Sequence, residues 1–413
     1  GVLAAFPFAA RVLFPRLAAR LRRAVTTAAL PAPRTVLQAH RETKETPTGF
    51  TLQEQIERIA GSLTNMGLTR RFARLVVVLG HGAASVNNPH HSAYECGACG
   101  GRDGGPSARL FATMANRPEV RAGLRAKGIE VPDTTWFIGG RHNTSSDEVV
   151  LFDEHAVPDT HRADIARAQA ALEHTRRASA HERCRRFEHA PPDPTLDEAL
   201  AHVEARTEDL SQARPELGHV TNAVAVFGRR ALTRGLFLDR RAFLISYDPA
   251  CDDAEGRVLE RVLAAAGPVG AGINLEYFFS CVDNDRYGCG TKLPHNLTGL
   301  LGVMDGAVSD LRTGLPRQMI EIHEPVRLLV IAEGTPERLG AIAARQPALT
   351  QLVTNGWIRV VSVHPDTGAL AYLDAGGFVP FEGGAEVPVV ARSMDWYRGK
   401  SDFLPPCIIK VSP

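Results

Sequence analysis

Apolar residues recur at spacings of three and four through Leu52, Ile56, Ile59 and Leu63, which predicts a helix over 51–65 with Thr51 as its N-cap and Gly67 as its end. The period then shifts. Residues 75–79 form an unbroken aliphatic run, rich in valine and closed by Gly80, as expected of a strand buried on both faces of a parallel sheet. His81 therefore falls at the carboxyl end of a strand, the edge at which open α/β sheets gather ligands. Downstream the pattern predicts a helix over 107–126 and two strands, 135–139 and 148–152, joined by a polar turn. A long arginine- and alanine-rich helix follows over 159–189; its charge run reads first as a solvated face and only secondarily as an anion or partner surface. Pro191, Pro192 and Pro194 mark a linker, and short strands are expected at 223–227, 242–245, 327–331 and 358–363. The alternation points to an α/β fold with a mostly parallel sheet and flanking helices. No internal repeat is visible.

The first 50 residues follow a different pattern. The run from Val2 to Ala10 is apolar and gives way to Arg11, Arg16, Arg20, Arg22 and Arg23. A secretory signal carries its positive charge ahead of the apolar stretch, the reverse of this order. Pro7, Arg11 and Pro15 interrupt the run before the ~20 residues that a spanning helix needs. No apolar span of that length is read elsewhere, so no transmembrane segment is expected. Two readings stay open for 1–30: a packed helix of a larger domain, or an amphipathic surface segment that meets lipid or a membrane partner. A polar, proline-containing connector covers 31–49. A chain of 413 residues exceeds what one core ordinarily serves. The pattern divides it into helix and connector over 1–50, an α/β region around His81 over 51–190, and a second α/β region over 191–413.

Composition narrows function mainly by exclusion. With 47 basic against 46 acidic residues there is no electrostatic footprint for nucleic acid. Seven cysteines scattered over this length do not make the dense framework of a small secreted domain, which favours a reducing cytoplasm.

Candidate chemistry is concentrated in Gly80-His81-Gly82, then Asn87-Asn88-Pro89, then Tyr94-Glu95-Cys96-Gly97-Ala98-Cys99-Gly100-Gly101. Zinc accepts imidazole and thiolate in a tetrahedral shell, and glycines beside the ligands let backbone pass close to a metal. His81 and Cys96 thus form a credible ligand pair. Cys96 and Cys99 also make a CxxC, which in isolation reads as a redox pair or half of a structural zinc knuckle. No second CxxC exists, and the flanking glycines suit a loop rather than the helix start of a thioredoxin-like pair. A purely structural loop with buried thiols is the third reading. His90 and His91 read as solvated histidines or as proton shuttles. The stretch from Gly288 through Cys289 to Lys292 lacks the spacing of a phosphate loop, and Lys292 with His295 either lines a cavity or packs.

The string GHGAASVNNPHHSAYECGACGG resembles the signature of the DabA family, the large soluble subunits of energy-coupled inorganic carbon transporters. The likeness continues through Asp209-Leu210-Ser211-Gln212, Arg214-Pro215-Glu216, Arg241-Ala242-Phe243-Leu244 with Ser246-Tyr247-Asp248, and Ile273-Asn274-Leu275-Glu276-Tyr277. It runs on through Val282-Asp283-Asn284, Lys292 with His295-Asn296, 310–316, and 323–328 to Asn355-Gly356-Trp357.

The resemblance implies a core similar to that of β-carbonic anhydrases with additional α+β segments. It also implies a zinc ion held by two cysteines, a histidine and an aspartate. The family histidine falls on His81 and the later cysteine on Cys96; Asn87, Asn88 and Glu95 are candidates to hydrogen-bond and orient the ligands. The other two ligands belong in the family to a C-x-D-x-R element, and no cysteine of this chain is followed by aspartate and arginine at that spacing. The chain therefore resembles a C-terminal half, with a separate N-terminal half bearing C-x-D-x-R as one expected partner. Zinc lowers the pKa of a bound water from about 15.7 toward about 7, which suits interconversion of carbon dioxide and bicarbonate. The resemblance further implies a polytopic DabB-like membrane subunit as partner and a peripheral position on the cytoplasmic side of the cell inner membrane. The alternatives are a metal-free interaction module on a degenerate family scaffold and a CxxC redox or structural zinc protein.

Overall fold

The computed structural model describes residues 2–14, 17–18, 20–21, 24–25, 35–38, 48–83, 85, 102–209, 212, 214–216, 218, 221–287, 324–374 and 376–410. Helix α1 (Val2–Leu13) leads the chain. Helix α2 (Leu52–Asn65) starts where its spacing predicts: the Thr51 hydroxyl accepts from the Glu54 backbone N–H, and the Glu54 carboxylate accepts from that of Thr51 at 2.8 Å. This reciprocal cap satisfies two of the donors that a helix start leaves without partners. Gly67 follows the helix with φ +72°, a conformation glycine adopts without a Cβ penalty.

Strand β1 (Leu75–Gly82) pairs in parallel with β2 (Trp136–Asn143), which turns back antiparallel into β3 (Glu148–Leu151). Helices α3 (Gly105–Ala115) and α4 (Pro118–Ala126) supply the crossover. The single helix expected over 107–126 is two, because Pro118 has no N–H to continue the first and instead opens the second. The expectation of a β1 buried on both faces is also corrected. Val76 and Val78 pack toward α2, α3 and α4, and Leu75 and Val77 pack toward Ile138 and Ile165. Both faces are therefore apolar, yet among the described residues β1 is the edge strand of its sheet and its residues are half-buried at best up to Gly80.

Helices α5 (Arg162–Cys184) and α6 (Leu196–Thr207) pack against each other and lead to the second sheet. Its strands are β4 (Val224–Gly228), β6 (Ala242–Ser246), β7 (Leu329–Glu333), β8 (Arg359–Val363), β9 (Leu370–Asp374) and β10 (Gly377–Pro380), in the order β10-β9-β8-β7-β4-β6. Strands β6, β4, β7 and β8 run parallel, and β9 and β10 extend the sheet antiparallel. Between β4 and β6 lies β5 (Leu236–Phe237), which joins β11 (Val389–Val390) and β12 (Cys407–Ile409) in a third, small sheet. The α/β class holds, and the expected mostly parallel sheet is corrected to mixed sheets. The physical cause is local: short turns at 144–147 and near Gly377 fold strands straight back, which allows only antiparallel pairing.

Helix α7 (Arg257–Val282) covers the second sheet together with α8 (Pro336–Arg345) and α9 (Pro347–Thr354). By length and composition α7 is long and apolar enough to cross a membrane, which corrects the expectation that no such segment exists. Its apolar content has a local explanation. Val258, Leu259, Leu263 and Ala271 are buried with Ala225, Phe227, Val330 and Ile342, and the Asn274 amide donates to the Asn222 carbonyl at 3.0 Å.

If α7 is a sheet-covering helix, position on it decides cost. Leu259→Ala should destabilise by about 2–5 kcal/mol, whereas Val269→Ala, at a site 45% exposed, should change stability by less than about 1 kcal/mol. Urea denaturation of both variants checks this; equal small effects would remove α7 from the core.

Candidate functional site

The carboxyl ends of β1 and β2 lie side by side, with His81 opposite His142 and Gly82 opposite Asn143. A Cβ on Gly80 would lie 2.1 Å from the Gly104 carbonyl carbon, so only glycine permits this crossing. The Gly104 N–H donates to the His81 carbonyl at 2.6 Å, and α3 begins at the next residue. Asp103 caps that turn by accepting from the Gly105 N–H at 2.9 Å, and Arg141 of β2 stands 3.8 Å from the same carboxylate. On the other side the Thr144 N–H and hydroxyl both donate to the Gly82 carbonyl, at 2.8 and 3.0 Å. The strand end that carries His81 is thus tied from both flanks, and the His81 residue itself is exposed.

Beside it, His142 Nε2 lies 2.9 Å from Asp147 Oδ1. Asp147 sits in the β2–β3 turn with φ 55°, a left-handed conformation that aspartate tolerates better than most residues. Its other oxygen accepts from Arg183 Nη2 at 2.9 Å and from the Ser179 hydroxyl, with Arg240 at 3.9 Å. Burial pushes the Asp147 carboxyl up; the Arg183 guanidinium, the His142 hydrogen bond, Arg240 and Ser179 pull it down and prevail. The group stays ionised well below the usual carboxylate range. Arg183, 2% exposed, also donates to the carbonyls of Ser145 and Pro215 at 3.1 and 2.8 Å. Ser145 donates to Glu216 at 2.7 Å, and Glu216 stands 3.6 Å from Arg214. The Arg214-Pro215-Glu216 stretch therefore serves this network.

The 159–189 charge run is a solvated face through most of its length, as the sequence suggests, and the arrangement departs from that reading only in the last turns. The helix is shorter, Arg162–Cys184, and its last turns carry Ser179, His181 and Arg183 into the interior. Sequence reasoning missed His142, Asp147 and Arg183 as a group. One signal was available: β2 continues past Gly139 and Gly140 to Asn143, which places His142 on the face and at the edge that His81 shares.

Of the ligands expected from sequence, only His81 is among the described residues. Cys96, Asn87, Asn88 and Glu95 lie outside them, as do His90, His91, Cys99, Cys289, Lys292 and His295. Among the described residues no three His, Cys, Asp or Glu side chains gather into a metal-binding group.

A family model described as probable inorganic carbon transporter subunit DabA matches residues 1–358. The chain is 60% identical over 418 aligned residues to the probable inorganic carbon transporter subunit DabA 2 of Sorangium cellulosum, covering 100% of this chain and 41% of that protein. It is 53% identical to the corresponding protein of Methylococcus capsulatus, covering 97% of this chain and 38% of that one. To that of Dechloromonas aromatica it is 56% identical, covering 87% and 36%. The chain spans about two fifths of the length of these relatives.

The paired charges give a prediction with a sign. Asp147→Asn leaves the Arg183 guanidinium buried without its counter-charge and should cost about 3–5 kcal/mol at pH 7. Because the folded pKa of Asp147 lies below the unfolded one, its ionic contribution is complete above the unfolded pKa of about 3.9. It is lost as pH falls through the folded value. The gap between wild type and Asp147→Asn should hold constant from pH 7 to about pH 5 and shrink below about pH 4. Urea melts across that range check it; a gap that widens on acidification would contradict the assignment.

Proposed function

The chain belongs to the DabA family of probable inorganic carbon transporter subunits, and from that membership we propose that it supplies part of a zinc centre which interconverts carbon dioxide and bicarbonate for transport. The observation that carries this reading is the backbone crossing of Gly80 and Gly104, which brings the His81 strand end against the start of α3 with no side chain between them. A strand-end imidazole held this way, followed by the thiolate of Cys96 in a glycine-rich stretch, is a donor set that suits zinc. His81 and Cys96 are the ligands proposed from this chain, with Asn87, Asn88 and Glu95 to fix their orientation through hydrogen bonds. Zinc, when bound, supplies the Lewis acidity that makes water a nucleophile near neutral pH.

The remaining ligands are assigned to a C-x-D-x-R element absent from this sequence, so the carbonic-anhydrase-like chemistry is proposed for the longer protein or for a pair of chains. The proposed membrane partner is a polytopic DabB-like subunit, met from the cytoplasmic face of the inner membrane without crossing. The N-terminal segment supports such docking: Phe6, Leu13, Phe14, Leu17, Leu21 and Val25 are each more than half exposed, and arginines intersperse them.

Elemental analysis tests the centre. The 413-residue chain alone should hold well under one zinc per molecule and approach one when a chain bearing C-x-D-x-R is supplied; His81→Ala or Cys96→Ser should abolish the gain. One tightly held zinc per isolated chain, retained by both variants, would refute the shared site, and no zinc in any combination would favour the metal-free module. Membrane docking has a separate test. Deleting residues 1–30 within the complete protein should release it from membranes with its zinc content unchanged, and retention whenever the partner is present would move the docking surface elsewhere.

A further inference from the structure

His142 stands beside His81, yet neither the proposed zinc ligands nor the sequence motifs use it. Leu75 and Val77 of β1 pack in one cluster with Trp136 and Ile138 of β2 and with Ile165 of α5. Side chains alternate along a strand, so the in-register pair His81 and His142 lies on that same α5 face, on strands about 4.8 Å apart. By the same alternation Gly80 meets Gly104 on the opposite face. The crossing that holds the strand end therefore leaves the two imidazoles together at the carboxyl edge.

Asp147 decides which ring nitrogen carries the proton. Its Oδ1 lies 2.9 Å from His142 Nε2, and its Oδ2 accepts from Arg183 Nη2 at 2.9 Å and from the Ser179 hydroxyl. An ionised carboxylate only accepts, so Nε2 is the donor, and Nδ1 of the neutral ring keeps its lone pair. The carboxylate's charge is already met by Arg183, with Arg240 at 3.9 Å, so the ring meets it as a neutral donor. Arg183 and Ser179 belong to α5, and they hold the carboxylate, and through it the ring, against that helix. The His142 side chain is 35% exposed against 17% for Asp147, which leaves the ring open to a ligand while its partner stays covered.

We infer that His142 is a specificity-determining residue of the centre proposed at His81, where its Nδ1 accepts a hydrogen bond from the hydroxyl of bicarbonate. The inference rests on that proposed centre and adds no ligand to it. A nitrogen lone pair facing an oxyanion oxygen that bears no proton leaves both groups unsatisfied, whereas facing a hydroxyl it makes a hydrogen bond. The pair of His142 and Asp147 therefore favours bicarbonate, which carries one O–H, over nitrate, which has the same planar shape and charge and carries none.

Two measurements test it. In the full chain without metal, nitrogen-15 spectra of labelled histidine should show the His142 ring as the Nε2–H tautomer, assigned by the signal that His142→Gln removes. The Nδ1–H form would overturn the inference and leave the zinc reading untouched. In the complete protein with cobalt in place of zinc, metal content and the visible spectrum are followed while bicarbonate or nitrate is titrated. His142→Phe should weaken bicarbonate binding about tenfold, the loss of one hydrogen bond, and leave nitrate binding and cobalt content as in wild type. His142→Gln, whose amide still donates to Asp147 and whose oxygen still accepts, should recover most of the bicarbonate affinity. Equal losses for both anions, or no loss, reduce the His142 and Asp147 pair to a structural contact, and loss of cobalt in His142→Phe makes the residue a metal ligand; each overturns the inference. A wild-type protein that takes up no cobalt refutes the zinc reading itself, and the inference falls with it.

Discussion

Arg183 is the group around which much of this protein is organised. Its guanidinium is withdrawn from water almost completely, and a charge so placed requires both an opposite charge and acceptors for its remaining donors. Asp147 supplies the first, and the carbonyls of Ser145 and Pro215 supply the second. The partners lie on two other parts of the chain, Asp147 and Ser145 in the β2–β3 turn and Pro215 in the Arg214-Pro215-Glu216 stretch, while Arg183 itself is on α5. Satisfying one cation therefore fixes three segments against each other. The geometry of the His142 ring follows, since the oxygen of Asp147 that Arg183 leaves is the one at His142.

The same helix extends the arrangement toward the far end of the chain. His181 Nδ1 meets the Tyr397 hydroxyl at 2.9 Å, and Arg185 pairs with Asp239 and donates to the carbonyls of Lys400 and Asp402 at 3.0 and 2.8 Å. Burial pushes the Tyr397 hydroxyl up to about 12, so it remains a neutral hydrogen-bonding group across the physiological range. The last turns of α5 are thus a polar hub between the first sheet, the turn before β6 and the small third sheet. A buried network of this kind is costly when any member is missing, which explains why the turns at Asp147, Asp239 and Arg240 keep left-handed backbone angles without glycine.

The strand end at His81 depends on a different constraint, steric rather than electrostatic. Gly80 and Gly139 sit where a Cβ would strike the backbone at the start of α3, at 2.1 Å and 2.7 Å respectively. Absence of side chains lets α3 lie directly on β1 and β2, and the Gly104 to His81 hydrogen bond closes that contact. A functional group at this edge is placed largely by the backbone, with the Thr144 hydroxyl and the Asp103 carboxylate adding to the same hold. The zinc reading draws on that property.

What the sequence determined by itself was whatever local rules govern. The cap at Thr51 and the end at Gly67 follow from helix period and capping, whose hydrogen bonds close within a few residues, and the strand at 75–79 and the later strands near 224, 242, 329 and 359 follow from short apolar runs bounded by turn residues. Family membership was legible in the ordered string from Gly80 to Gly101 and the motifs after it. Burial and partnership were not. An arginine in a polar helix reads the same whether it faces water or the interior, and Arg183 reaches Asp147 across 36 residues, Arg185 reaches Asp239 across 54, and His181 reaches Tyr397 across 216. Likewise β1 reads as a strand buried on both faces because its two faces are apolar, while its place at a sheet edge depends on which strands pair with it. Only the tertiary structure decides such matters, because the free energy of a buried charge or an open edge depends on groups that come together after the chain has folded.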